Sequence, residues 1–377
     1  GKTTLIRAFT AVMEGLKRRV LLTAPTGRAA RRLSEVTGRP AATLHKALGY
    51  NLTDGRFERS EDDQLAADVV VVDEASMVDT LLMAHLIRAV PVRATLILVG
   101  DVFQLPSVGP GNVLSDLIRS EKVVTFRLTE IFRQETESRI VINAHRVLQG
   151  LPPVIAPPDD PDLPSEFNFI QQANPEKVVQ MVVKLCRQEI PRHFRLDPVR
   201  DIQVLTPMHR GPVGTLNLNR VLQEALNPAI EQVEVVGRQF KVGDKVMHLR
   251  NNYRKEVFNG DIGILAGIDL EQERAEVDYD GRKVPYDFVE LDELSLAYAI
   301  SVHKSQGSEY PAVVIPLLTQ HYVMLQRNLL YTALSRGKQL VVMVGTAKAL
   351  NVALKNDRPR QRRSMLARRL NPDIDAS

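Results

Sequence analysis

Apolar positions recur at helical spacing near the start of the chain, where Leu5, Ile6, Phe9, Val12, Met13 and Leu16 mark one face of an amphipathic helix. The pattern stops at Lys17-Arg18-Arg19 and gives way to a short apolar strand, Val20-Leu21-Leu22. A second helix opens after Thr23-Ala24-Pro25-Thr26-Gly27. Farther on, Val69-Val70-Val71-Val72 is a continuous β-branched run, the pattern of a parallel strand covered on both faces, and Leu96-Ile97-Leu98-Val99 repeats it. Strands alternating with helical periods predict a parallel α/β lobe over residues 1–120. Within it, Leu52-Thr53-Asp54-Gly55-Arg56-Phe57 carries an Asp-Gly hairpin signal and sets residues 50–64 apart as a small excursion.

A stretch rich in proline and aspartate, residues 151–165, reads as a surface loop or linker. The runs Gln203-Val204-Leu205, Val313-Val314-Ile315 and Leu340-Val341-Val342-Met343-Val344 then predict a second α/β lobe, begun in 121–237 and resumed in 293–350. Between 238 and 292 the period switches to that of short strands. Ala275, Val277 and Tyr279 alternate, Asp280-Gly281 turns, and Val284, Tyr286 and Phe288 alternate back. Gly260-Asp261-Ile262-Gly263-Ile264 adds another strand, so this insertion is expected to be a small β-barrel. The tail, residues 351–377, concentrates arginines at 358, 360, 362, 363, 368 and 369, which suits either phosphate binding or a solvated, frayed end.

Composition narrows the classes. The chain has 377 residues, 44% hydrophobic and 25% charged, which excludes disordered and collagen-like sequences. Apolar runs fall short of the ~18 residues that span a bilayer, and Gly1-Lys2-Thr3-Thr4 is not a signal peptide. A single cysteine, Cys186, leaves no internal disulfide and no Cys-based zinc cluster, which fits a reducing, cytoplasmic compartment. A net charge of +4 permits a nucleic-acid partner without requiring one.

Candidate chemistry sits at the ends of the predicted strands. Gly1-Lys2-Thr3-Thr4, leading into a helix and then a strand, reads as the tail of a phosphate-binding P-loop, in which the lysine reaches β and γ phosphates and the hydroxyl holds Mg²⁺; the other reading is a helix with a chance cap. Asp73-Glu74 follows the valine run, where open α/β sheets bind ligands. It reads as a metal-organising aspartate beside a glutamate that activates water, or as a helix-terminal charge pair. Gln104, after the next strand, is placed to sense a γ-phosphate. Arg133 and Arg336 are the candidates for neutralising a transferring phosphoryl group, though each alone reads as a surface ion pair. Pro25, Thr26, Arg28, Thr43 and His45 in the first lobe, and His303, Lys304 and Ser305 in the second, are hydroxyls, rings and cations suited to a sugar-phosphate chain.

In order along the chain these segments resemble the motifs of superfamily 1 helicases, and most closely the RecD family, the exodeoxyribonuclease V alpha-subunit type. Gly1-Lys2-Thr3-Thr4 is similar to the end of motif I, Ala24-Pro25-Thr26-Gly27-Arg28 to motif Ia, and Asp73-Glu74-Ala75-Ser76-Met77 to motif II. Gly100-Asp101 through Gly109 resembles motif III, Arg133 falls on the arginine of motif IV, His303 through Glu309 resembles motif V and Tyr331 through Gly337 motif VI. Met208-His209-Arg210-Gly211-Pro212-Val213-Gly214, the inserted barrel and the 50–64 hairpin resemble features of the stand-alone, short-partnered branch.

The resemblance implies two RecA-like P-loop NTPase lobes, an SH3-like barrel in the second, and a strand-splitting pin at the hairpin. It implies an ATP-dependent, Mg²⁺-using motor that moves 5′→3′ on single-stranded DNA and opens duplex at junctions, in repair or recombination. By that resemblance Gly1, Lys2, Thr3, Thr4, Gln104, Arg133, Gly307, Glu309 and Arg336 line the nucleotide, with Thr3 and Asp73 on the metal. A monomer is expected, or exonuclease V-type subunits if the protein does not stand alone. The other functions in view are a DNA-binding clamp or exonuclease V subunit with little ATPase, and an RNA helicase, which differs by its treatment of the 2′-hydroxyl. Because the chain opens inside its P-loop motif, a longer protein is expected, and the piece as given is expected to bind ATP poorly.

Overall fold

The computed structural model describes residues 2–51, 54–128, 138–155, 165–235, 237–357, 362 and 364–375. By internal contacts the chain divides into two units, Gly1–Phe132 with Arg358–Ser377, and Arg133–Asp357. The first unit therefore extends past residue 120, and the C-terminal segment from 358 joins it instead of forming a separate tail.

In the first unit, strands β1 (Val20–Ala24), β2 (Ala41–Thr43), β5 (Val69–Val72) and β6 (Thr95–Leu98) form a parallel sheet in the order β2-β1-β5-β6. Between β2 and β5, the two-residue strands β3 (Tyr50–Asn51) and β4 (Arg56–Phe57) pair as a hairpin. The valine run explains the layering. Val69 and Val71 pack with Ile6, Leu22 and Leu33, so helices α1 (Lys2–Gly15) and α2 (Gly27–Thr37) cover that face. Val70 and Val72 pack with Leu44, Leu86 and Leu114, so α4 (Thr80–Ala89) and α5 (Val113–Ser120) cover the other; α3 (Leu44–Ala47) is a single turn. The apolar stripe of α1 is narrower than its sequence suggests. Ile6 is buried, while Leu5, Val12 and Leu16 are exposed.

The second unit repeats the plan. β7 (Phe167–Gln171) and β8 (Ile202–Thr206) join β16 (Ala299–Ser301), β17 (Tyr310–Leu317) and β18 (Gly337–Gly345), all pairs parallel, in the order β16-β8-β17-β18-β7. The intervening chain forms β9 (Gln232–Val235) and β10 (Arg238–Lys241), a hairpin, then β11 (Lys245–His248), β12 (Ile262–Asp269), β13 (Arg274–Tyr279), β14 (Arg282–Asp287) and β15 (Leu294–Leu296), an antiparallel sheet in the order β14-β13-β12-β11-β15. The Asp280-Gly281 turn has both residues at positive φ, 53° and 90°, as a tight two-residue hairpin requires. Val233 of β9 lies in the barrel core with Phe240, Tyr279 and Tyr286, so the barrel elements start before residue 238. Only Val233 and Val235 alternate in β9, too few for a periodic signal.

The barrel is fixed to its lobe by a buried carboxylate. Asp244 accepts hydrogen bonds from Asn227 Nδ2 (2.7 Å), Gln223 Nε2 (2.5 Å), Tyr298 OH (2.9 Å) and the Lys241 amide (2.7 Å). Four donors satisfy a group whose desolvation would otherwise be prohibitive. Among the described residues no helix is long and apolar enough to cross a membrane.

Candidate nucleotide and nucleic-acid sites

In the first unit the parallel strands deliver Asp73 and Glu74 to one corner of the sheet. The Asp73 amide continues the β1–β5 ladder by donating to Thr23 O at 2.9 Å, and Asp73 Oδ1 accepts from the Glu74 amide at 2.9 Å. Glu74 itself sits in the left-handed region, φ 50° and ψ 38°, and its Oε2 is buried with no hydrogen-bond partner. Strain and an unsatisfied acid at one residue both cost stability. Burial pushes the Asp73 carboxyl up, and the neighbouring Glu74 charge adds to this; the cations of Lys2 and Arg32 oppose it. The corner thus holds two acids whose combined charge calls for a cation, with Lys2 close enough to be felt. This donor set fits Mg²⁺ carried by a phosphate.

The loop after β6 lies against this corner. The Ala75 amide donates to Val99 O at 2.8 Å, and the Ser107 amide to Ser76 O at 3.1 Å. A Cβ on Gly100 would meet Leu114 Cδ2 at 2.7 Å and the Ser76 amide nitrogen at 3.0 Å, so only glycine lets the two segments approach. Gln104 is buried, and its Nε2 reaches Asp101 Oδ2 at 3.3 Å. Gly1 and Arg133 lie outside the described residues, as does the side chain of Thr3. Thr4 is exposed on α1.

The first unit's nucleic-acid candidates divide by environment. Pro25 and Thr26 form the bend before α2, where Thr26 Oγ1 accepts from the Ala29 amide at 3.2 Å as the N-cap, and Arg28 follows in the first turn. Thr43 is buried instead, capping α3 through the Lys46 amide at 3.1 Å. His45 packs its ring on Tyr50 (5.3 Å between centroids) and Phe57 (5.7 Å), and Phe57 in turn meets His85 at 4.5 Å. Burial holds the His45 imidazole below the usual histidine range, against a smaller pull from Asp79. The hairpin is therefore mounted on a ring cluster that His45 helps to build, a role the sequence reading of His45 as a strand contact missed.

In the second unit the segment after β16 forms a single 3₁₀ turn, Val302–Ser305. Ser301 caps it, accepting from the Lys304 amide at 3.3 Å. Ser305, expected to face a ligand, is fully buried and donates to Val302 O at 2.8 Å, because a turn of three residues rotates it inward beneath His303 and Lys304. Partial burial lowers the His303 ring's pKa. Lys304 is lowered by desolvation and then by the charge of Arg238 from the barrel. Gly307 has φ 73°, and Glu309 pairs with Lys338 at 3.3 Å. Arg336 is buried, with its guanidinium donating to Ser308 O (3.0 Å), Thr332 O (3.2 Å) and Ser335 Oγ (3.1 Å). All three acceptors are neutral oxygens.

Family models match this chain in series. They describe an AAA domain over residues 1–155, an ATP-dependent RecD-like DNA helicase SH3 domain over 218–279 and a UvrD-like helicase C-terminal domain over 296–344. The chain is 30% identical over 402 residues to the RecBCD enzyme subunit RecD of Mycolicibacterium smegmatis, covering 99% of this chain and 71% of that subunit. The chain belongs to the RecD family of superfamily 1 helicases. In this RecD-family chain the two parallel sheets are RecA-like lobes and the inserted barrel is SH3-like. A match of 36% identity over 368 residues to the ATP-dependent RecD2 DNA helicase of Deinococcus radiodurans covers 98% of this chain and 48% of that protein. The chain thus spans about half the length of that relative. Among solved structures, the Pif1 helicase from Bacteroides in complex with ADP-AlF3 and single-stranded DNA shares the fold, with a TM-score of 0.56 at 19% identity, over 96% of this chain and 89% of that one.

Proposed function

We propose that this chain is the motor portion of an ATP-dependent DNA helicase that moves 5′→3′ on single-stranded DNA and opens duplex at a junction. The observation that carries the reading is the Asp73–Glu74 corner, two half-buried acids with a strained backbone at Glu74, a buried and unpartnered Glu74 Oε2, and the charge of Lys2 acting on Asp73. When bound, ATP and Mg²⁺ supply the scissile phosphoanhydride and neutralise its charge. Lys2 and Thr3 of the P-loop end hold the phosphates and metal, with Gly1 and Thr4 completing that segment. Asp73 anchors the metal. Glu74 orients water and accepts its proton, a role open to its unpartnered Oε2. Gln104 reads the γ-phosphate, and Arg133 and Arg336 supply positive charge to the transferring group, with Gly307 and Glu309 shaping the segment that precedes Arg336.

DNA contact falls to Pro25, Thr26 and Arg28 at the start of α2 and to His303 and Lys304 on the 3₁₀ turn. Thr43, His45 and Ser305 act from beneath, by holding those segments in shape. A monomer acting on tailed or forked DNA fits this division of roles. The reading is tested by ATP hydrolysis of the intact protein with single-stranded DNA or RNA of the same sequence. Strong stimulation by DNA and little by RNA is the expected result. Hydrolysis indifferent to both, or driven by RNA, overturns it.

A further inference from the structure

The described part of the arginine-rich C-terminal segment, Arg362 and residues 364–375, is ordered against the rest of its unit. It docks on the first unit. The short helix Leu366–Leu370 packs along α5, with Ala367 fully buried and Leu366 against the lobe's core. Asn371 Nδ2 donates to Ser120 O at 3.0 Å and closes the C-terminal end of α5. Ahead of this helix, the Arg362 guanidinium forks onto the loop that follows Gln104. Its Nη1 donates to Gly109 O (3.0 Å) and Gly111 O (2.9 Å), and its Nη2 to Ser107 O (2.9 Å).

The loop bends through 108–110, with Gly111 at φ 93°, and brings these three carbonyls within reach of one planar fork of donors. The opposite side of the same loop is tied to the segment after Glu74. The Ser107 amide donates to Ser76 O at 3.1 Å and the Thr80 amide to Pro110 O at 3.0 Å. A Cβ at Gly109 would strike Asp79 and one at Gly111 would strike Thr80, so the loop is seated tightly on that side. Arg362 holds it through three of its carbonyls.

We infer that Arg362 is a positioning residue for Gln104. It clamps the loop so that the Gln104 amide keeps one orientation beside the Asp73–Glu74 corner, and the carbonyls it holds are the loop's own, not a ligand's. The inference rests on the ATPase reading above.

The test is steady-state ATP hydrolysis in the intact protein carrying Arg362→Ala, Arg362→Lys, Gln104→Ala, and the Arg362→Ala/Gln104→Ala pair. Arg362→Ala is expected to lower DNA-stimulated kcat about tenfold, the size of effect that a misplaced catalytic group produces, with KM for ATP unchanged. Arg362→Lys keeps the charge but cannot fork onto three carbonyls, so it restores only part of kcat. The double variant should be no slower than Gln104→Ala alone, because both changes remove the same interaction. Unchanged kcat in Arg362→Ala, a loss confined to melting temperature, or full additivity with Gln104→Ala would each overturn the inference. A wild-type protein without ATPase would overturn the functional reading with it, whereas wild-type ATPase that Arg362→Ala leaves intact overturns this inference alone.

Discussion

Glu74→Gln is expected to lower steady-state ATP hydrolysis about a thousandfold, within the span a positioned general base contributes. The substitution keeps shape and volume and removes the ability to take a proton. It also removes a half-buried charge whose Oε2 finds no donor. An amide in that place is less costly to bury than a carboxylate, so the variant should melt no lower than the parent. Its backbone, at φ 50°, asks nothing of glutamine that it does not ask of glutamate. DNA binding should be retained, because the proposed DNA-contact residues are other side chains. Calorimetric melting, a DNA-binding isotherm and a hydrolysis assay on the same preparation check the three parts together. Hydrolysis at the parent rate would remove Glu74 from its role.

Arg336→Ala is the second large effect. Its guanidinium is buried among neutral acceptors, so its charge is held in place without being cancelled by a carboxylate. A cation kept in that state is available to a phosphoryl group, and arginines that act on one contribute about a thousandfold or more. The expected result is a loss of kcat of that order. Removing the side chain also strips the donor from Ser308 O, which destabilises the second unit by about 1–3 kcal/mol. The assay is therefore run well below the melting temperature. Arg336→Lys separates the contributions: it keeps a charge but not the fork, and is expected to recover stability more than rate. Parent kcat in Arg336→Ala would end the assignment.

The sequence made some of this legible because local pattern and local structure coincide. Val69–Val72 is buried on both faces, as an uninterrupted β-branched run must be, and Asp280-Gly281 turns where alternating strands meet. The family, too, was readable from the order of short motifs. What escaped depends on contacts distant in sequence or on the direction of a single side chain. Asp244 is held by Tyr298, 54 residues away, and nothing around either residue announces the other. Ser305 differs from Ser301 only by its place on a 3₁₀ turn, yet one is a buried donor and the other a cap. Thr43 and His45 carry groups suited to binding, but capping and ring packing engage them first. Arg362 finds its carbonyls 251 to 255 residues upstream.

A 5′→3′ motor opens duplex from one kind of tail only. The measurement that tests it most directly is unwinding by the intact protein of duplex DNA bearing either a 5′ or a 3′ single-stranded tail, with ATP and Mg²⁺ present. The expected result is strand separation of the 5′-tailed duplex, none of the 3′-tailed one, and loss of both ATPase and unwinding in Glu74→Gln. Unwinding confined to the 3′-tailed duplex, or unwinding that survives Glu74→Gln, would contradict it.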